Sequence, residues 1–87
     1  MNAAHALEHE LQSIIVKACN VQDAPEEVLP EAPLIGPDSP LGLDSLDAVE
    51  IVVAVQAHYG VRIDDQNVAR RVLASLRVLA DFIRSRQ

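Results

Sequence analysis

One hydroxyl in this chain stands where chemistry is easily done. Ser45 lies inside Leu43-Asp44-Ser45-Leu46-Asp47, where a segment holding all five prolines ends and an amphipathic stretch begins. A helix start leaves backbone N–H groups without internal partners and carries the positive end of the macrodipole, so an anion attached to Ser45, such as a phosphodiester, is stabilised there. Asp44 and Ser45 also suit simple N-capping. Asp47 and Glu50, three residues apart, read either as paired catalytic carboxylates or, as this spacing favours, as a solvated face in which Asp47 complements the dipole.

Other constellations carry less. His5-Ala6-Leu7-Glu8-His9 matches H-x-x-E-H and sets two imidazoles on one helix face. A catalytic zinc site needs a third protein ligand and a shaped cavity, which a terminal turn does not supply, so only opportunistic metal binding is expected. Activation of Ser45 by His58 fails on geometry, because thirteen helical residues separate them by about 20 Å and roughly 220°. Gly42-Leu43-Asp44-Ser45-Leu46 also lacks the second glycine of a nucleophile elbow. Cys19 is expected to be a small buried hydrophobe of the first helix. As the one cysteine it forms no internal disulfide, which favours a reducing compartment.

The elements that must position Ser45 follow from periodicity. Leu7, Leu11, Ile14, Ile15 and Ala18 make one stripe of a helix from about Ala3 to Cys19, with Asn20 as the residue that ends it. Residues 20–44 hold Pro25, Pro30, Pro33, Pro37, Pro40, Gly36 and Gly42, so little regular structure beyond a turn or two is expected. A loop of that length in a small domain marks a functional or disordered segment. A second helix runs from about Ser45 to Tyr59 and stops at Gly60. Asp64 or Asp65 caps a short third helix to about Val72, and Ser75 caps a fourth whose Leu76, Leu79, Ala80 and Ile83 recur at helical spacing. The fold class is therefore all-α: a small antiparallel four-helix bundle, three helices longer and one short, with a long proline-rich loop between the first two.

Eighty-seven residues make one domain, residues 1–87, able to bury roughly 60% of the surface its unfolded chain exposes. Tyr59 and Phe82 are its only aromatics, so the core is soft and aliphatic. Residues 1–50 hold ten acidic side chains against Lys17, whereas residues 51–87 hold Asp64, Asp65 and Asp81 against six arginines. The acidic first half argues against nucleic acid and for protein partners with basic docking surfaces. Met1 to Glu10 lacks the basic and apolar regions of a signal peptide, and no run is apolar enough to span a membrane, so a cytoplasmic, monomeric protein is expected.

Read together, Asp38-Ser39-Pro40-Leu41-Gly42-Leu43-Asp44-Ser45-Leu46-Asp47-Ala48-Val49-Glu50-Ile51-Val52 resembles the phosphopantetheine attachment segment of acyl carrier proteins, and the order of helices and loop extends the likeness over essentially the whole chain. The resemblance implies a free-standing, noncatalytic shuttle. A phosphopantetheinyl transferase would attach 4'-phosphopantetheine to Ser45, with Asp44 helping to position the serine and the transferase's magnesium ion. Acyl-transferring and ketosynthase-type enzymes of fatty-acid, polyketide or related lipid biosynthesis would then act on the thioester cargo. It further implies docking through Asp44, Asp47 and Glu50, with Leu46, Val49 and Val53 as exposed apolar contacts. Val52, Val55, Val68 and Val72 would line a shelter for the acyl chain. Gln56, Ala57 and His58, and Arg70 and Arg71 on the short helix, depart from the family's usual acidity. That departure and the proline-rich loop point to a specialised pathway. Two alternatives stay open: a peptidyl or aminoacyl carrier, and an unmodified acidic helical interaction domain.

Overall fold

The computed structural model describes residues 6–22, 24–25 and 28–86. Four helices carry the fold: α1 (Ala6–Ala18), α2 (Ser45–Tyr59), α3 (Gln66–Val72) and α4 (Leu76–Arg86). Three are longer and one is short, and no strand is present among the described residues. α1 packs on α2 and α4, and α3 packs on α4.

Each helix begins and ends where its terminal residues dictate. α1 stops at Ala18 because Asn20 turns left-handed at φ 53°, letting its N–H reach Lys17 O and the Val21 N–H reach Val16 O. Those two bonds form a Schellman closure that satisfies carbonyls the helix would otherwise strand. The expected start at Ala3 lies outside the described residues, and Cys19 falls just beyond the helix rather than within it. Gly60, at φ 68°, ends α2 and donates its N–H to Gln56 O. Asp65, not Asp64, caps α3 by accepting the N–H of Asn67 at 2.7 Å. Ser75 opens α4, its hydroxyl accepting from Val78 N–H and its carbonyl from Leu79 N–H.

The buried apolar side chains among the described residues are all Leu, Ile, Val or Ala, including Leu11, Ile15, Ile51, Val55, Leu79 and Ile83. Tyr59 and Phe82 sit half-buried at its margin. Beneath the first turn of α1, the Glu8 carboxylate is buried and meets Arg84 of α4 at 2.8 Å, an ion pair joining the first helix to the last.

The proline-rich segment is a wall of this core rather than a slack connection. Val28, Leu34, Leu41 and Leu43 from it are buried. Its backbone is tied to the start of α4 by an isolated antiparallel bridge between Pro33 and Ser75, with Leu34 N–H donating to Ala74 O and Arg77 N–H to Pro30 O. Gln12 fixes the loop's other end. Its amide nitrogen donates to Pro25 O and its amide oxygen accepts from Val28 N–H, both at 3.1 Å. Gln12→Ala leaves that Val28 donor buried and unsatisfied, which costs about 1–3 kcal/mol. The helical signal at 222 nm should melt lower, by about 4–8 °C for each kcal/mol lost. Ser13→Ala, on the exposed side of the same turn, should leave the melting point nearly unchanged.

Candidate functional site

A small hydrogen-bonded frame delivers the chain to α2. The Ser39 hydroxyl donates to Leu34 O at 2.7 Å and accepts from the N–H groups of Leu41 and Leu43. Gly36 N–H reaches Leu43 O at 2.8 Å, and Gly42 N–H reaches Ser39 O. Gly36 and Gly42 take φ values of 114° and 67°, a region that side chains with a Cβ enter at a cost. Leu41 and Leu43 are thereby held in the core while the next two residues emerge at the surface.

Asp44 is the N-cap of α2. Its carboxylate accepts the N–H groups of Leu46 at 3.0 Å and Asp47 at 3.2 Å, and the Asp47 carboxylate accepts Asp44 N–H at 3.1 Å. This is a reciprocal capping box made by two aspartates. Ser45 is the first helical residue, exposed, with its hydroxyl in no hydrogen bond to a described residue. The N-capping expected of Asp44 is present, so an anion on Ser45 would meet the positive end of the macrodipole with the N–H groups of Leu46 and Asp47 already engaged.

The outward face of α2 carries the residues expected on it. Leu46, Val49 and Val53 are 78%, 61% and 61% exposed, and Asp44, Asp47 and Glu50 lie among them. Ile51 and Val55 point the opposite way, into the core. Asp47 has two duties, since its carboxylate both closes the cap and contributes charge to this face, whereas Glu50 is exposed and outside the cap.

A groove of about 530 Å³ opens beside Ser45, floored by Ile35, Ala48, Val52, Ile63 and Leu73. Of the four valines expected to line a shelter, Val52 does so. Val55 and Val72 are buried core, and Val68 packs half-buried against that core without lining the groove. Ile35, Ile63 and Leu73 were not foreseen. Their signal was weak: each lies in a connecting segment, where neither period of 2 nor of 3.6 is sustained long enough to show a face.

The remaining candidates do not converge on this site. His5 lies outside the described residues, and Glu8 is committed to Arg84. Among the described residues no cluster of His, Cys, Asp and Glu could hold a metal ion. His58 is exposed near the far end of α2, its ring 6.4 Å from that of Tyr59. The Tyr59 hydroxyl donates to Glu10, and burial together with that bond holds its pKa above the usual tyrosine range.

Cys19 is half-buried against α2, its thiol 3.7 Å from Asp47 O. Burial, then the charges of Asp47 and Glu50, push its pKa up from the ordinary 9.0 to about 11. All three disfavour the thiolate, so alkylation should accelerate only as pH approaches 11. At pH 8, native protein should react with iodoacetamide on the order of a hundredfold more slowly than urea-unfolded protein, as timed by mass spectrometry; equal rates would mean that the thiol is not shielded.

Comparison with known proteins gives the family. The family model described as "Phosphopantetheine attachment site" matches residues 9–83. An acyl carrier protein of Helicobacter pylori (strain G27) is 37% identical over 67 residues, spanning 77% of this chain and 80% of that protein. An acyl carrier protein of Nitratidesulfovibrio vulgaris (strain DP4) is 33% identical over 82 residues, spanning 94% of this chain and 99% of its own length.

Proposed function

We propose, for a chain that belongs to the phosphopantetheine-attachment family of acyl-carrier-like, noncatalytic proteins, that Ser45 receives the arm and that the outward face of α2 docks the enzymes that load and unload it. The observation carrying this reading is an exposed, unbonded hydroxyl at the first residue of a capped helix, beside an apolar groove. In the attachment step the Ser45 hydroxyl gives up its proton as its oxygen bonds to the phosphorus of coenzyme A, and adenosine 3',5'-bisphosphate leaves. The arm supplies a thiol on which acyl groups travel as thioesters. Asp44 keeps Ser45 at the helix start and adds a carboxylate within reach of the transferase's magnesium ion.

Docking follows from the same face. Leu46, Val49 and Val53 offer apolar contact, and Asp44, Asp47 and Glu50 draw basic partner surfaces, which raises association rate and specificity more than affinity. A carrier must leave each enzyme quickly, and this arrangement permits it. We place the protein as a monomer in the cytoplasm, serving fatty-acid, polyketide or related lipid biosynthesis. No helix of the described residues is long and apolar enough to cross a membrane.

The decisive experiment is modification. With coenzyme A, magnesium and a broad-specificity phosphopantetheinyl transferase, the protein should gain the mass of one arm on Ser45. Ser45→Ala should gain none while keeping its helicity, because Asp44 rather than Ser45 makes the cap. An unchanged wild-type mass with several transferases would favour an unmodified interaction domain.

Charge reversal tests the docking face. Asp47→Lys breaks the capping box as well as the charge, so Glu50→Lys is the clean variant. It should lower the transferase's kcat/KM about three- to tenfold at low salt, with the gap narrowing at moderate salt as exposed charges are screened. A Glu50→Lys protein matching wild type at both salt levels would remove Glu50 from the interface.

A further inference from the structure

The groove beside Ser45 has an apolar floor and a charged rim. Asp64, Asp65, Gln66 and Arg70 line that rim. Both carboxylates are already engaged: Asp64 meets Arg62 at 3.7 Å, and Asp65 accepts the N–H of Asn67 as the cap of α3. Arg70 differs from them. It is exposed, and among the described residues it has no carboxylate within ion-pair distance. Arg71 shares the last turn of α3 and is equally placed to complement the helix dipole, yet it does not line the groove. Dipole compensation therefore accounts for a basic residue in this turn but not for a guanidinium at the rim.

We infer that Arg70 is a cargo-specificity residue: its guanidinium holds the terminal carboxylate of an acyl chain tethered through Ser45 and lying along the groove. The inference rests on the reading of Ser45 as the attachment point. The occupant follows from continuity, because Ser45 itself lines the groove and a chain anchored there reaches it without dissociating. A volume of about 530 Å³ falls within the range of small-molecule sites. Ala48, Val52, Ile63 and Leu73 receive the methylenes, and the planar guanidinium matches a carboxylate through two parallel N–H donors. A plain alkyl chain of equal length satisfies the floor and leaves Arg70 unused. A carboxylated chain satisfies both.

The test loads wild type, Arg70→Gln and Arg71→Gln with hexanoyl or adipoyl arms, using a transferase and the corresponding coenzyme A thioesters. Cleavage of each thioester by hydroxylamine is timed at neutral pH and low salt, relative to the matching free pantetheine thioester, and amide spectra are recorded for the unacylated and both acylated forms. In wild type the adipoyl thioester should be cleaved about two- to fivefold more slowly than the hexanoyl one, the ratio that one exposed charge pair supports. Arg70→Gln should abolish the difference and Arg71→Gln should keep it, with adipoyl-specific amide shifts at Ile63, Ala69 and Leu73. Equal cleavage of the two cargoes in wild type overturns the inference, as does the same loss in Arg71→Gln. Arg70-dependent amide shifts already complete in the unacylated arm would assign the guanidinium to the phosphodiester instead and likewise overturn it. If no variant accepts an arm, the Ser45 reading fails and takes this one with it; if all are loaded but indifferent to cargo, this inference alone fails.

Discussion

The phase of α2 depends on two carboxylates. Asp44 takes the N–H groups of Leu46 and Asp47, and Asp47 takes that of Asp44, so the helix can begin at one residue only. Just before the cap Leu43 is buried, and just after the first turns Ile51 and Val55 are buried. A start displaced by one residue would rotate the helix by about 100°, carrying Ile51 away from the core and bringing outward-facing side chains into it. The cap, the Ser39 frame behind it and the two left-handed glycines therefore set which residues α2 shows to solvent. Ser45 is presented because its neighbours on both sides are fixed.

The second determinant is the absence of large rings from the interior. With Tyr59 and Phe82 at the margin, the core is filled by branched aliphatic side chains, which leave a groove where α2 faces the segments flanking α3. α3 has seven residues and is too short to be stable alone. It is retained by Val72 and Leu73, buried at its end, and by Val61 and Ile63, buried in the segment before it. The wall that bounds the groove is thus held at its ends, the kind of segment that opens at lower free energy than a long central helix.

Much of this was legible in the sequence because the signals are local. Asp44-Ser45, Asp65 and Ser75 announce caps through the chemistry of short polar side chains, and Gly60 and Asn20 announce helix ends through their tolerance of positive φ. The outward stripe of Leu46, Val49 and Val53 was legible only through the family resemblance, because apolar residues at that helical spacing would by themselves read as a buried face. What escaped was non-local. Nothing in the sequence near Pro25 or Val28 shows that Gln12 will bind both backbones, and nothing near Pro33 shows that it will pair with Ser75. The proline-rich loop therefore read as a functional or disordered segment without regular structure, and its part as a wall of the core was not visible. The same limit hid the groove's floor, since Ile35, Ile63 and Leu73 come from three connections that only the packed fold brings together. Asp44's capping role was legible, but a capping residue and a bound anion compete for the same N–H groups, and sequence does not say which wins.

The shielding of Cys19 bears on chemical fidelity. A protein that bears acyl groups on a pendant thiol is at risk from any second thiol of its own, because thioester exchange proceeds through the thiolate and an internal acceptor acts at high effective concentration. A pKa near 11 leaves only about one Cys19 in ten thousand ionised at about pH 7, roughly a hundredfold fewer than an ordinary thiol would offer. Burial is the larger cause, and the charges of Asp47 and Glu50 add to it. The two carboxylates that make the outward face of α2 acidic thus also help to keep the chain's own sulfur protonated.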